Sequence, residues 1–204
     1  MRTSDPSNAR RCEDELVAHD QHETTLKTER LILRSQQETD AVVFRRLWTE
    51  RDPRVPAHRR LDAQGRPTVA DIARDIRRGS GQKRRDLLTV VLRATGEVIG
   101  YCGLVFDGAG DSREPELAFE LLRTAHNHGY ATEAGAAVIA WARDRGYPRL
   151  TASVWGWNLA SRRALEKLGF TETGTATAVS THGRSLLTVR TSAGRGVSAT
   201  AGHA

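Results

Sequence analysis

The spacing of apolar residues divides the chain into strand-like and helix-like segments. Strand-like segments are short apolar runs or alternate in polarity, as expected where one or both faces of a strand are buried. Glycine-containing turns such as Ala94–Glu97 and Thr181–Gly183 join several of them into hairpins. Seven strands are predicted, over residues 26–34, 87–92, 98–106, 116–122 and 150–155 and in a last hairpin over 170–190.

Four other segments repeat apolar residues every three to four positions, which predicts amphipathic helices. One begins after Thr39 or Asp40 and one after Thr68, both suitable N-cap positions. The other two cover residues 132–145 and 160–168. This order of elements predicts an α+β fold, a three-layer α/β/α sandwich around a mixed, largely antiparallel, twisted sheet of about seven strands.

A single domain is predicted over residues 25–190. Residues 1–24 and 191–204 are polar or small and lack periodicity, so both are expected to be flexible tails. No run of 18 apolar residues occurs, so we expect no membrane span. The first residues carry arginines without an apolar centre, which disfavours a secretion signal.

Charge and cysteine content narrow the functional classes only slightly. The net charge is +6, from 31 basic and 25 acidic residues, and lysine occurs at only three positions. The charges are dispersed and no aromatic residues are interleaved with a basic run, so direct nucleic-acid binding is disfavoured, although an anionic cofactor would suit this balance. Cys12 and Cys102 are expected to be free thiols in a reducing compartment, which predicts a cytoplasmic protein.

The junction from His126 to Thr132 is the strongest candidate site. It connects a predicted strand to a predicted helix, contains Gly129 and small Ala131, and has no acidic residue back to Leu121. Free N–H groups and the positive end of a helix dipole form an anion site, and a glycine lets a phosphate approach the backbone closely. The junction alone predicts a phosphate-bearing cofactor, although such turns also occur for structural reasons.

A second motif follows one helix and one strand later. Together, Gly129-Tyr-Ala-Thr-Glu-Ala134 and Asn158-x-x-Ser161 with Leu168-Gly-Phe170 resemble the GNAT superfamily of acetyl-CoA-dependent N-acetyltransferases, in particular its RimJ/RimL-like branch. The segment from Thr28 to Arg34 resembles the first strand of that branch, so the resemblance runs from about residue 26 to 190.

The resemblance implies that acetyl-CoA is the cosubstrate and that no metal takes part. Contacts to acetyl-CoA are implied for Leu121, whose N–H is the candidate for polarising the acetyl carbonyl, for Asn158, and for the whole turn, which consists of His126, Asn127, His128, Gly129, Tyr130, Ala131 and Thr132. The chain departs from the family pattern at its first two positions, where His126 and Asn127 replace the usual residues. These departures leave backbone binding possible but put side-chain contacts at both positions in doubt.

Two residues are candidates for proton transfer. Glu116 matches the glutamate of the branch's E-I-G-Y pattern and could relay a proton from the acceptor through water, or it could be a solvent-facing edge charge. Leu165 stands where many relatives have the tyrosine that serves as the acid, which leaves Ser161 as the candidate acid. Both Ser161 and Asn158 could instead be ordinary residues at a helix start.

Three functional classes stay open on the sequence. The first is an enzyme that acetylates a primary amine, either a ribosomal or other protein N-terminus or a small amine. The second is a non-catalytic acyl-CoA-binding or sensor domain, and the third is a basic RNA- or ribosome-binding protein. His126 and His128 have no acidic or cysteine partner at ligand spacing, so a metal site is not expected. The oligomeric state is not fixed by the sequence, and a homodimer stays open.

Overall fold

A computed structural model describes residues 24–79, 85–106 and 114–191. Both predicted tails lie outside these residues, apart from Thr24 and Thr191. Residues 107–112, whose glycines and polar residues predict a turn, also lie outside them.

Within the described residues, eight strands form one sheet: β1 (Thr25–Lys27), β2 (Leu31–Ser35), β3 (Arg85–Leu92), β4 (Val98–Val105), β5 (Glu116–Leu121), β6 (Arg149–Trp155), β7 (Thr171–Ser180) and β8 (Gly183–Thr191). Their order across the sheet is β1-β2-β3-β4-β5-β6-β8-β7, and every neighbouring pair is antiparallel except β5 and β6. The count exceeds the prediction by one because residues 28–30 interrupt the first predicted strand. Thr28 closes a turn there, donating its N–H to the Leu31 carbonyl (3.0 Å) and accepting the Leu31 N–H on its hydroxyl (2.9 Å).

In the part of the chain that the structure describes, four α-helices cover the two faces of the sheet, as the pattern predicts. They are α1 (Ala41–Glu50), α2 (Val69–Arg77), α3 (Tyr130–Asp144) and α4 (Leu159–Lys167). Thr68 and Asp71 form the capping box at the start of α2 that their spacing predicts. Helices α3 and α4 pack on the larger core, while α1 and α2 share a smaller cluster with Tyr101 on the other face. The three-layer sandwich is therefore confirmed.

The close contact between α3 and α4 depends on a glycine. A Cβ atom on Gly135 would lie 2.6 Å from Leu168 Cδ1, closer than two carbons can approach. Small residues on the same helix, Ala134 and Ala142, are fully buried against the sheet. This spacing lets both helices cover the same face.

A buried carboxylate fixes the start of α1. Asp40 is 2% exposed and receives two hydrogen bonds from the Arg34 guanidinium, at 2.8 Å each, and one from the Thr89 hydroxyl at 2.7 Å. Burial opposes ionisation of this carboxyl, but the Arg34, Gln37 and Thr89 hydrogen bonds outweigh it and lower the pKa. Asp40 thereby ties α1 to β2 and β3.

The sheet opens between its two parallel strands. Strands β5 and β6 share a single pair, Glu116 with Thr151, and they separate beyond it. On β5, Leu117, Phe119 and Leu121 pack toward α3, so Glu116, Ala118 and Glu120 face the α1–α2 side. The opening leaves a cleft between the two strands. Within the described residues, no helix has the length and apolar character needed to span a bilayer.

Candidate active site

The cleft between β5 and β6 begins where the Glu116 side chain takes the place of a backbone acceptor for the hydrogen bonds of β6. Thr151 donates its N–H to the Pro115 carbonyl (3.0 Å) at the point where the two strands pair. The next N–H available on β6, that of Ser153, donates to Glu116 Oε1 at 3.1 Å. Glu116 therefore sits at the apex of the cleft.

Backbone groups of β5 line one wall of the cleft. Leu122 donates its N–H to the Ile99 carbonyl of β4 (2.8 Å). Because the backbone N–H and C=O groups of successive residues point to opposite sides of a strand, those of Phe119 and Leu121 point away from β4 and into the cleft. The Leu121 carbonyl lies 2.9 Å from His126 Nε2. Its N–H is left facing the cleft, as the sequence prediction for this residue requires.

Helix α3 begins with an unusual number of unpaired donors. Asn127 (φ 63°) and Gly129 (φ 79°) both have left-handed backbone conformations. The first hydrogen bond of the helix runs from the Glu133 N–H to the Gly129 carbonyl (3.0 Å). Within the described chain, the six N–H groups of residues 127–132 make no hydrogen bond. These donors add to the partial positive charge of about half a unit at a helix start.

The side chains of this turn contact one another and leave the backbone donors exposed. The His126 ring is directed to Leu121, and His128 Nδ1 lies 2.7 Å from the His126 carbonyl. The His128 ring also stacks on Tyr130, with centroids 5.5 Å apart. Asn127, His128 and Gly129 are solvent-exposed, and Gly129 has no side chain that could cover the backbone N–H groups. The turn fits a diphosphate on these grounds.

Arg30 adds a cation that sequence reasoning missed. Its guanidinium donates to the His128 carbonyl (3.0 Å), lies 4.7 Å from the Tyr130 ring centre and is 46% exposed. An added Cβ on Gly129 would be 3.5 Å from Arg30 Nη2, so this charge borders the turn. Arg30 is about 100 residues away in sequence, and no local pattern indicates the contact.

Glu133, the acidic residue of the turn motif, has a structural role. It accepts the Thr28 hydroxyl (2.6 Å), the Arg30 N–H (2.9 Å) and Arg30 Nε (2.7 Å). Burial opposes its ionisation, but the Thr28 and Arg30 hydrogen bonds lower the pKa of this carboxyl. Glu133 therefore holds the β1–β2 turn, and with it Arg30, beside the start of α3.

The second motif lies at the carboxyl ends of the same strands. Asn158 Oδ1 accepts the Ser161 N–H at 3.1 Å, which makes Asn158 the N-cap of α4. Both side chains are half-buried, whereas Leu165 is 3% exposed and belongs to the core. Because β5 and β6 are parallel, Leu121 and Asn158 lie at the same edge of the sheet, as does the turn before α3.

Glu116 stands apart from that edge. It is five residues from Leu121 along one strand, a span of about 16 Å. Burial raises the pKa of this carboxyl above its usual value, and the Ser153 hydrogen bonds and the Arg59 charge only partly oppose the effect. A half-buried carboxylate bonded to Ser153 is not a solvent-facing edge charge. Its raised pKa makes this carboxylate a stronger base than a solvent-exposed glutamate.

A second carboxylate on the same face, Glu120, forms an ion pair with an arginine. Glu120 accepts two hydrogen bonds from Arg51, at 2.6 and 2.7 Å, and one from the Tyr101 hydroxyl at 2.9 Å. Arg51 also stacks on Trp48, 4.0 Å from the ring centre. The pair attaches the start of the long loop 51–67 to β5.

The same loop reaches the other strand of the cleft. The Arg54 guanidinium lies 4.2 Å from the Trp157 ring centre, and Trp157 stacks on Trp155 with centroids 6.3 Å apart. Neither tryptophan belongs to a core cluster, since Trp155 is the last residue of β6 and its ring stacks on that of Trp157 two residues further along. Loop 51–67 thus forms a lip over the cleft on the α1–α2 face.

A shallow groove extends along α3 from the turn. It has a volume of about 270 Å³ and runs from Thr132 past Ile139 to Arg143, with Lys167 and Arg190 on its other side. The cationic side chains suit the continuation of an anionic ligand bound at the turn.

Other reactive groups contribute little within the described residues. No group of three His, Cys, Asp or Glu side chains could hold a metal ion there. Cys102 is a buried free thiol whose pKa is raised to about 12 by burial, so it is not nucleophilic. Cys12 lies outside the described residues.

Comparison with known proteins agrees with this geometry. Residues 30–171 match the family model described as an acetyltransferase (GNAT) domain. The uncharacterized N-acetyltransferase p20 of Bacillus licheniformis is 30% identical over 156 residues, which cover 74% of this chain and 84% of that protein.

Solved structures of similar fold span nearly the whole described region. A GnaT-family acetyltransferase from Bordetella pertussis is 25% identical, with a TM-score of 0.62 over 82% of this chain and 99% of that one. RimL, a ribosomal L7/L12 α-N-protein acetyltransferase solved with coenzyme A, is 14% identical, with a TM-score of 0.64 over 83% of this chain and 98% of that one. The last likeness shows the fold alone. The family model covers more than half of the chain, so this protein belongs to the GNAT acetyltransferase family and is an acetyl-CoA-dependent N-acetyltransferase.

Proposed function

We propose that the protein transfers an acetyl group from acetyl-CoA to a primary amine that attacks the thioester directly. The observation that carries the proposal is the set of six unpaired N–H groups at residues 127–132, at the mouth of a cleft lined by strand backbone. Acetyl-CoA supplies an activated acyl group on a thiol that leaves readily. The protein supplies binding, orientation and proton transfer.

The turn from His126 to Thr132 would hold the diphosphate. Its N–H groups act as donors, Gly129 gives clearance, and the Arg30 guanidinium, which is ion-paired with Glu133, borders the turn. The side chains of His126 and His128 are occupied within the turn, so the contribution of both residues comes from the backbone. Asn158 caps α4 through its carbonyl oxygen, and its amide N–H₂ is the group that could contact the ligand.

The β5 wall would align the pantetheine arm and polarise the acetyl carbonyl. Leu121 was the sequence candidate for the second task, but it lies about 16 Å from Glu116. The Phe119 N–H faces the cleft in the same alternation and is about 10 Å from the Glu116 position. We therefore assign arm binding to Leu121 and carbonyl polarisation to Phe119.

Proton transfer would use Glu116 and Ser161. The attacking amine nitrogen forms a bond to the carbonyl carbon, the carbon–sulfur bond breaks, and the surplus proton passes through water to Glu116. Because Leu165 has no proton to give, Ser161 in the first turn of α4 would protonate the departing sulfur, directly or through a water, and would take a proton back from solvent.

The modest strength of this base favours an α-amine as the acceptor. Neutralising an α-amine of pKa about 7.7–8 at pH 7 costs about 1 kcal/mol, whereas a lysine of pKa about 10.4 costs about 4–5 kcal/mol. A protein N-terminus, ribosomal or other, and small α-amines both satisfy this condition. A cytoplasmic location accords with the free thiol of Cys102.

Titration with acetyl-CoA, with a matched pair of variants, tests the binding site. Gly129→Glu puts a carboxylate beside the phosphates and should reduce affinity at least 100-fold, equivalent to about 2.7 kcal/mol. Gly146→Glu is the control, because Gly146 is also left-handed (φ 85°) but lies at the other end of α3 with no atom within 4 Å of an added Cβ. Equal affinity in both variants would refute the proposed turn.

Thiol release with a panel of amines, followed by mass spectrometry of the product, tests the reaction. Acetylated product supports the proposed function. Binding of acetyl-CoA without thiol release for any amine would contradict it.

A further inference from the structure

Loop 51–67, the lip over the cleft, has more arginines than it has carboxylate partners for them. Loop 51–67 has five arginines and two aspartates. Three of the arginines are bonded to carboxylates, Arg51 to Glu120, Arg54 to Asp52 and Arg66 to Asp62. Arg59 and Arg60 are exposed, and within the described residues neither forms an ion pair.

Arg59 is held at the cleft by its own backbone. Its carbonyl accepts a hydrogen bond from Arg51 Nη1 at 3.0 Å, and Arg51 is bonded in turn to Glu120 on β5. Burial raises the pKa of both Glu116 and Tyr101, and the Arg59 charge acts against that rise at each of them. The guanidinium therefore lies within electrostatic range of the cleft floor.

The floor offers one negative group to an incoming amine. Glu120 is neutralised by Arg51, which leaves Glu116 at the apex. A simple cationic amine would have to pass the positive lip to reach it. An amine that also carries an anionic group could place its amino group near the Glu116 carboxylate and its anion near the arginines of the lip.

We propose that the acceptor is an amine carrying a carboxylate or phosphate close to the amino group, and that Arg59 binds this anion at the lip while the amine enters the cleft toward Glu116. This inference rests on the proposed acetyl transfer and names the chemical class of its acceptor. Arg59 is then a specificity-determining residue.

Matched acceptor pairs test the inference by steady-state thiol release. Aspartic acid α-amide is compared with asparagine α-amide, phosphoethanolamine with ethanolamine, and the peptide Ser-Asp-Ala amide with Ser-Asn-Ala amide. The three pairs separate a small carboxylate, a phosphate and an acidic peptide as the source of the anion. The enzymes are the natural protein, Arg59→Gln, Arg59→Glu and Arg145→Gln. The last removes the same charge at the far end of α3, roughly 20 Å from the turn.

We expect the natural protein to prefer the anionic member of at least one pair about tenfold or more in kcat/KM, the effect of one charge-assisted hydrogen bond. Arg59→Gln should remove that preference through KM, Arg59→Glu should reverse it, and Arg145→Gln should retain it. Equal rates within every pair, or a preference unchanged by Arg59→Glu, would overturn the inference and leave the proposed transfer standing.

Absence of turnover on every amine would instead contradict the proposed function. The same pairs are then titrated into the protein saturated with coenzyme A. Arg59-dependent binding of the anionic members supports the inference, and equal or absent binding overturns it.

Discussion

Replacing Arg51 by methionine should loosen the lip of the cleft at a measurable cost in stability. The Arg51 side chain is 11% exposed and that of Glu120 is 22% exposed, so the pair is largely removed from solvent. Breaking a fully buried ion pair costs about 3–5 kcal/mol, and an exposed pair contributes about 0–1 kcal/mol. For this intermediate burial we expect a loss of about 2–3 kcal/mol in the free energy of unfolding, which lowers Tm by about 4–12 °C for a domain of this size.

Arg54→Met is the matched control. Arg54 also has a carboxylate partner and a tryptophan beneath it, but it is 58% exposed. Its replacement should cost less than about 1 kcal/mol. Urea unfolding measures both values, and the double variant Arg51→Met with Glu120→Gln should recover part of the loss because no buried charge is left unpaired. A cost below about 0.5 kcal/mol for Arg51→Met would refute the view that this pair anchors the loop.

Two further predictions concern carboxylates. The raised pKa of Glu116 means that the folded state holds its proton more tightly than the unfolded chain, so the ionised group destabilises the fold above that pKa and the penalty vanishes as pH falls toward 4.5. Glu116→Gln should therefore raise Tm at pH 8 but not near pH 4.5, and it should remove the acidic limb of the pH–rate profile. An identical Tm change at both pH values would contradict the raised pKa. Asp40→Ala should cost about 3–5 kcal/mol in urea unfolding, because it leaves the Arg34 charge and the Thr89 hydroxyl without their partner. The exposed control Asp75→Ala should stay within about 0.5 kcal/mol, and similar values for both would exclude the proposed role of Asp40.

Elements that depend on neighbouring residues could be predicted from the sequence. The capping box of Thr68 and Asp71 is an example, because its partners are three residues apart. The donors before α3 are another, since a glycine in a strand-to-helix turn leaves them unpaired wherever the helix packs. The predicted start of α3 at Thr132 was two residues late, because Gly129 already ends the turn.

Partners distant in the chain were decided by the tertiary structure. Arg30 reaches Glu133 across 103 residues, and Arg51 reaches Glu120 across 69. No local propensity indicates which of many arginines meets a given carboxylate, since the pairing follows from helix packing and strand register. The same holds for the cleft, because β5 and β6 must first pair at Glu116 and then separate. The sequence by itself therefore determined the glycine turn proposed to bind the diphosphate, through local backbone chemistry, whereas packing alone decided which side chains surround it and which charges line the cleft.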